Sequence, residues 1–591
     1  MLKITSISGP LVTAFIEDKE NDFPKLLETV YVGNKKLLGE VINIDTDYCK
    51  IQVYEDTQGL QAGEPVELRD ELLSVELGPG LIGNIFDGIQ RPLKELEEVS
   101  PIFIQPGIHL PRLSRTHEWD FVPTVQIGEN VDQGEKIGFI QETELLKHWI
   151  MIPAGISGVV KEISSGTFTL EQTVAVVEDS HGELHNIKMY QKNPVKVPRQ
   201  IKKKLSPNKI FKTGQRVIDA MFPIMLGAPV STPGPFGAGK TFTQQQLAKW
   251  SDAQIVVYVG CGERGNEMTE MVKLFPTLND PRTGKPLMDR TVLIANTSNM
   301  PIAAREASVY TGMTIAEYFR DMGYDVVLMA DSTSRWAESM REISARLGEM
   351  PADEGYPAYL SSRIAAFYER AGLVETLGNN ETGSITAVGT VSPAGGDFSE
   401  PVTQASLKNT QVFLALDAGL AAKRHYPSIN WQTSYSLYDD TYNQLLSETK
   451  EGKKFVESRN EAKAILNKED NLLESVKLVG VDGLSNTDRL ILEIAKSLRE
   501  DFLQQNGFDE VDTYCSFEKT QAMLNLIIDL YNQLGYYIEI NPDNEEFVAN
   551  FFDAEVKIML SNVKYKKTIE EIVEVSKNLE EKLKKQNNAM A

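Results

Sequence analysis

The chain has 591 residues, enough for about four domains of ordinary size and a large buried core. Its 41% hydrophobic and 24% charged residues are those of a globular protein, and a formal charge of −24 argues against nucleic acid as the main partner, because phosphate backbones need a positive surface. No apolar run approaches the ~18–20 residues of a membrane span, Met1-Leu2-Lys3-Ile4-Thr5-Ser6 turns polar too soon for a signal peptide, and Cys49, Cys261 and Cys515 fit a reducing cytosol with neither a disulfide framework nor a zinc site.

Residues 1–70 read as short strands. Val41-Ile42-Asn43-Ile44 and Lys50-Ile51-Gln52-Val53-Tyr54 alternate or cluster β-branched residues between Gly33, Gly39, Gly59 and Gly63, and a small barrel is the natural closure. After a connector at 71–111, residues 112–190 form a second β-rich unit. The run from Val125 to Gly138 and the run from Ile152 to Val160 have the cadence of a lipoyl or biotinyl hammerhead. Lys147 stands close by, but Leu146-Lys147-His148 is not the Met-Lys-Met or Asp-Lys-Ala setting of a swinging-arm lysine. A purely structural hammerhead is expected.

From 191 to 440 the pattern becomes strand–helix alternation, the mark of a parallel α/β sheet. Within it, Gly234-Pro235-Phe236-Gly237-Ala238-Gly239-Lys240-Thr241 fits G-x-x-x-x-G-K-[ST], the phosphate-binding loop. Glycines let successive N–H groups surround a di- or triphosphate. Lys240 reaches the β/γ-phosphates, the Thr241 hydroxyl serves Mg²⁺, and the following helix offers its positive N-terminus. The nucleotide-binding run is taken as far as Phe242. Gln254–Val259, Thr291–Ala295 and Asp325–Ala330 are apolar runs of buried-strand length. Pro301 opens a helix to about Met322, ended by Gly323.

Residues 441–591 are expected to form a helical bundle. Ser485-Asn486-Thr487-Asp488 is a capping signal, followed by Leu490, Ile494, Leu498 and Phe502 and closed by Gly507. In the tail, Ile569, Ile572, Ser576, Leu579 and Leu583 leave one narrow seam among Glu and Lys.

Ligands of open α/β sheets sit beyond the carboxyl ends of the strands. Lys240-Thr241 lies there. So does Gly260-Cys261-Gly262-Glu263-Arg264-Gly265, after the strand ending at Val259, and so does Asp331, after Val326–Ala330. Asp331 suits a Walker-B aspartate that binds Mg²⁺ through water, or an N-cap of the helix starting in Asp331-Ser332-Thr333-Ser334. Glu263 suits a base that polarises the attacking water, or a surface salt bridge beside Arg264.

At these residues the chain resembles the catalytic A subunit of prokaryotic V-type/A-type rotary ATPases. The blocks that carry the likeness are Gly234–Thr241, Gly260–Met268, Asn296–Pro301, Ala330–Trp336, Asp353–Tyr359, Ser392–Asp397 and Gln504–Asn506, spread over nearly the whole chain. The resemblance implies a multidomain α/β chain: an N-terminal β-barrel, a hammerhead-like bulge insertion, a RecA-like P-loop nucleotide domain (191–440) and a C-terminal helical domain (441–591). It implies Glu263 as the catalytic glutamate and Arg264 as a phosphate contact. Aromatic walls of an adenine pocket carry over to Tyr426 and Phe508, where core packing is the alternative. The family usually has Phe in place of Tyr426, eukaryotic relatives have Cys in place of Ala238, and Met225-Leu226-Gly227-Ala228-Pro229-Val230 replaces the usual Lys-Gly-Gly run.

The expected activity is turnover of ATP and ADP with Mg²⁺ in a hetero-hexameric ring alternating with a non-catalytic B subunit, the arginine finger coming from that neighbour. Central-shaft and peripheral-stalk subunits and a membrane ion-translocating sector would complete the machine, with no nucleic acid involved. The chain would be cytoplasmic, peripheral on the inner face of the cell membrane, and the ion, proton or sodium, is chosen by other chains. The competing readings are a non-catalytic ring subunit with a regulatory role and an ATPase of a protein-export or translocase ring. An intact phosphate loop and Glu263 disfavour the first, and the hammerhead insertion and acidic charge disfavour the second.

Overall fold

The computed structural model describes residues 2–590 apart from 18, 20–22, 102, 103, 281, 282, 379, 481–483, 543 and 545. The chain divides into two compact units, one of residues 1–207, 226–231 and 253–410, the other of 208–225, 232–252 and 411–591.

The first unit opens with a closed six-stranded barrel of Leu2–Ser8, Leu11–Ile16, Glu28–Val32, Leu37–Ile44, Tyr48–Val53 and Pro65–Leu72. Side chains two apart share a face of a strand, so Val12 and Ala14, Val30 and Val32, and Ile51 and Val53 fill the interior and are fully buried. Closure leaves no unpaired edge.

The hammerhead-like unit consists of two four-stranded sheets. One contains Asn130–Val131, Gly158–Ile163, Thr173–Glu178 and Leu184–Lys188. The other contains Lys147–Met151, Lys136–Gln141, Glu118–Pro123 and Gly166–Thr169. Lys147 is a strand residue whose ammonium lies 4.4 Å from the Phe139 ring centroid and whose carbonyl accepts from Tyr324 Oη at 2.7 Å. Both contacts are structural.

The rest of this unit is built on a parallel sheet. Ile85–Phe86, Thr291–Thr297, Ile255–Glu263, Asp325–Asp331 and Thr382–Val391 lie side by side in that order. Ile255–Cys261 and Val326–Asp331 are buried along their lengths, as continuous apolar strands covered on both faces must be. The helix Ile302–Asp321 starts after Pro301 and stops before Gly323 at φ +85°, matching its sequence signals.

The strands Thr291–Thr297 and Asp325–Asp331 run slightly past their expected apolar runs, and a third departs further from expectation. The strand begun at Ile255 does not end at Val259 but continues to Glu263, because Gly260 and Cys261 pair with Ala295 and Asn296 of its parallel neighbour. Ladder pairing overrides the low strand propensity of glycine. Gly260 also meets a packing demand: a Cβ there would stand 2.2 Å from Met268 Sδ.

The second unit carries the helix Lys240–Trp250 and the C-terminal helices Lys450–Val479, Asn486–Ser497, Phe517–Ile540, Ala554–Asn562 and Ile569–Met590. Ser485 caps as expected, its hydroxyl accepting from Asp488 N at 3.1 Å, and Leu490, Ile494, Leu498 and Phe502 are buried. The helix does not run to Gly507. It passes into a π-helical turn at Leu498–Leu503, Gln504 is extended, and Gly507 instead abuts Phe242, whose Cζ would lie 2.3 Å from an added Cβ.

The tail seam also differs. Ile572, Val575, Leu579 and Leu583 are buried, whereas Ile569 is 41% exposed and Ser576 is only half-buried. Spacing of three, four and four follows one helical face, and the apolar Val575 takes the place assigned to Ser576.

Candidate functional site

The strand Pro229–Pro233 leads into the phosphate loop, which belongs to the second unit, and the helix Lys240–Trp250 leaves it. Gly237 and Gly239 both lie at φ +80°, a left-handed conformation that costs other residues about 1–2 kcal/mol. Close approach adds to the demand for glycine. A Cβ on Gly234 would fall 2.6 Å from Leu416 Cβ, and one on Gly239 would fall 3.0 Å from Tyr426 Cε1. The Ser428 hydroxyl donates to the Ala238 carbonyl and steadies the turn. Lys240 Nζ folds back over the loop, donating to Gly234 O at 2.8 Å and Pro235 O at 3.1 Å. Thr241 is half-buried at the helix start, and Phe236 is 80% exposed at the loop tip.

A cavity of about 660 Å³ opens beside Gly239, within the range of ligand pockets. Phe242, Tyr426 and Phe508 stand around it, the Phe242 ring centroid lying 5.9 Å from that of Tyr426 and 5.5 Å from that of Phe508. Tyr426 is half-buried and Phe508 is 89% exposed, so neither is an ordinary core residue. The three residues are far apart in sequence, and hydrogen bonds to backbone carbonyls bring them together: Gln505 N donates to Tyr426 O at 2.7 Å, and Gln504 Nε2 to Arg424 O at 3.1 Å.

Arg216, not singled out by sequence, anchors this arrangement. Fully buried, it pairs with Asp512 at 2.7 Å and donates to Phe502 O and Gln504 O at 2.6 and 2.7 Å. Asp512 in turn accepts from Asn506 N at 2.7 Å, so one ion pair holds both ends of the segment carrying Phe508. A lone arginine in Gly214-Gln215-Arg216-Val217 gives no local signal of a partner almost three hundred residues away.

In the first unit the carboxyl ends of two adjacent strands present Glu263 and Asp331. The Asp331 carboxylate accepts from Tyr258 Oη at 3.0 Å and Thr390 Oγ1 at 2.7 Å. The N-cap position of the following helix is held by Ser332, not Asp331. Burial pushes the Glu263 carboxyl up to about 8, and the charge of Asp331 and a hydrogen bond with Glu267 push the same way, opposed by Arg335. Burial, with the charges of Asp331 and Glu263, lifts the Tyr258 phenol well above its usual range. Gly262, at φ +72°, lets the strand end pass between Arg305 and Arg335, whose atoms would lie 2.9 Å from a Cβ. Arg264 is exposed at the start of the helix Gly265–Leu274.

Carboxylate and hydroxyl oxygens are the hard donors that Mg²⁺ takes. Asp331 offers such oxygens, and a divalent cation beside it would offset the charge that adds to the lift burial gives Glu263, so the residues present fit the metal. Cys49, Cys261 and Cys515 are all buried free thiols. No helix among the described residues is long and apolar enough to cross a membrane.

Four family models match in chain order. They are the β-barrel domain of the ATP synthase alpha/beta family (residues 4–68), the barrel-sandwich domain of the ATP synthase alpha/beta subunit (110–196), the nucleotide-binding domain of the ATP synthase alpha/beta family (214–436), and the C-terminal domain of V and A type ATP synthase (445–539). The A subunit of the A-type ATP synthase from Methanopyrus kandleri is 57% identical over 89% of this chain and 88% of its own length. The V-type ATP synthase alpha chain of Acetivibrio thermocellus is 54% identical over 95% and 94%, and that of Clostridium botulinum 56% over 89% and 88%. The assembled ATPase EscN of the enteropathogenic E. coli type III secretion system superposes with a TM-score of 0.63 over 89% of this chain and 100% of that one, at 21% identity, a likeness of fold alone. Similarity of this depth, from barrel to C-terminal helices, means that the chain belongs to the family of catalytic A (alpha) subunits of A-type and V-type ATP synthases.

Proposed function

We propose that this catalytic subunit turns over Mg-ATP with the phosphate loop Gly234–Thr241 cradling the phosphates, Phe242, Tyr426 and Phe508 enclosing the adenine, and Glu263 orienting the water. Lys240 and Arg264 neutralise phosphate charge. The Thr241 hydroxyl, and Asp331 through water, hold Mg²⁺, which supplies further charge neutralisation when bound. The observation that carries the reading is the cavity that opens at Gly239, the last left-handed glycine of the loop, with three aromatic rings around it. A base in that cavity has its phosphate end beside the loop amides and the helix N-terminus.

The chain works in an alternating ring with a non-catalytic subunit that supplies the arginine finger. The C-terminal helices pass nucleotide-dependent movement to a central shaft, peripheral stalks hold the ring, and a membrane sector moves protons or sodium. The ring sits on the cytoplasmic face of the membrane. The five-part division at about residues 70, 111, 190 and 440 belongs to the same reading.

Glu263→Gln tests the proposed base. In the assembled complex ATP hydrolysis is expected to fall by about 10²–10⁴-fold, with ADP affinity retained. Undiminished hydrolysis would remove Glu263 from the mechanism.

A further inference from the structure

We propose that the turn Val563–Tyr565, between the last two helices, is the outer wall of the base cavity, making Tyr565 a nucleotide-contacting residue and linking base occupancy to the seating of the tail helix. The inference rests on the reading of that cavity as the adenine site.

Lys564 and Tyr565 line the cavity together with Gly239, Phe242, Tyr426 and Phe508. They come from a segment that has no role in the mechanism above and lies more than fifty residues beyond Phe508. The turn is held firmly. Val563 is buried, the Lys564 carbonyl accepts from Lys519 Nζ at 2.8 Å, and Lys564 Nζ donates to Glu500 O at 3.0 Å, on the turn that leads to Phe508. Tyr565 is 41% exposed, as a ring bordering an open cavity is.

Each side-chain amide nearby already has a partner within the protein, and that of Gln505 has one at both ends. Gln504 Nε2 donates to Arg424 O, the Gln505 amide bonds Arg216 N and Gly214 O, and Asn506 Oδ1 accepts from Phe508 N at 3.1 Å. Ring faces therefore provide most of the grip on a base, and Tyr565 adds a fourth ring to the other three. The residues after Tyr565 lead straight into the helix Ile569–Met590. By reciprocity, a nucleotide that gains affinity from Tyr565 strengthens the docking of that turn by the same factor.

The test compares calorimetric affinities of the full-length chain for ADP and for inorganic tripolyphosphate, which has no base. Tyr565→Ala is expected to weaken ADP binding about five- to tenfold, in line with one stacking wall, and to leave tripolyphosphate binding unchanged. Tyr565→Phe is expected to match the unaltered protein and Tyr565→Leu to follow the alanine variant, so the ring rather than the bulk is read. Equal ADP affinity in the Phe and Leu variants overturns the proposal if Phe508→Ala still weakens ADP. If Phe508→Ala also binds ADP normally, the adenine site itself lies elsewhere. ADP is further expected to slow amide exchange in residues 569–586, and less so in Tyr565→Leu; identical protection in the two would break the link to the tail.

Discussion

Gly239 concentrates three demands on one residue: a φ of +80°, a Cβ position 3.0 Å from Tyr426 Cε1, and the N-cap of the helix that starts at Lys240. Gly239→Ala strains the backbone by about 1–2 kcal/mol and pushes the Tyr426 ring outward, so the loop and the cavity wall proposed to hold the base are disturbed together. ADP affinity is expected to fall about tenfold or more, measured by titration, while the melting temperature moves by only a few degrees. A melting curve shifted by tens of degrees with normal ADP binding would contradict this division of effects. Such residues were legible in the sequence because the loop motif is contiguous and each glycine has a local reason. Glu263 and Asp331 were legible for a related reason: both stand where an apolar run meets polar residues, and strand ends are where parallel sheets place their ligands.

Among the elements, the loop carrying Tyr426 brings a buried histidine with it. His425 is packed against Trp431, with ring centroids 5.7 Å apart, and burial lowers its imidazole to about 4, aided by Arg499, Lys564 and Lys423 around it. A histidine lowered in the folded state adds stability that is complete above its ordinary value near 6.5 and is lost as pH falls through that value toward 4. Acid denaturation is therefore expected to include a contribution of up to about 3 kcal/mol between pH 6.5 and 4. The neutral variant His425→Asn flattens that segment of the stability curve. Parallel slopes of the two proteins in denaturant titrations across this range would show that His425 does not set them. What was not legible lies at this scale. The strand beyond Val259, the π-helical stop before Gln504 and the choice of Val575 over Ser576 were decided by neighbouring elements rather than local pattern, and the Arg216–Asp512 anchor joins segments no window spans.

For the whole molecule, the arginines beside the carboxyl cluster are already committed. Arg335 donates to both oxygens of Glu338 at 3.0 and 2.8 Å, and Arg305 donates to Ser298 O at 2.9 Å. An arginine finger supplied by a neighbouring subunit is typically worth about 10³–10⁵ in rate. The isolated chain is expected to bind nucleotide yet hydrolyse it slower by that factor than the reconstituted ring, measured as steady-state phosphate release per chain. Equal rates would place every transition-state cation within this chain. The folded-back lysine of the phosphate loop carries a consequence for how such binding begins. On the proposed phosphate role of Lys240, whose ammonium already rests on the carbonyls of Gly234 and Pro235, an arriving polyanion enters by substitution: it displaces those dipoles, and departing product hands the ammonium back to them. On that reading, release is eased by a partner waiting within the same turn, a useful property in a site that must empty after every round of hydrolysis.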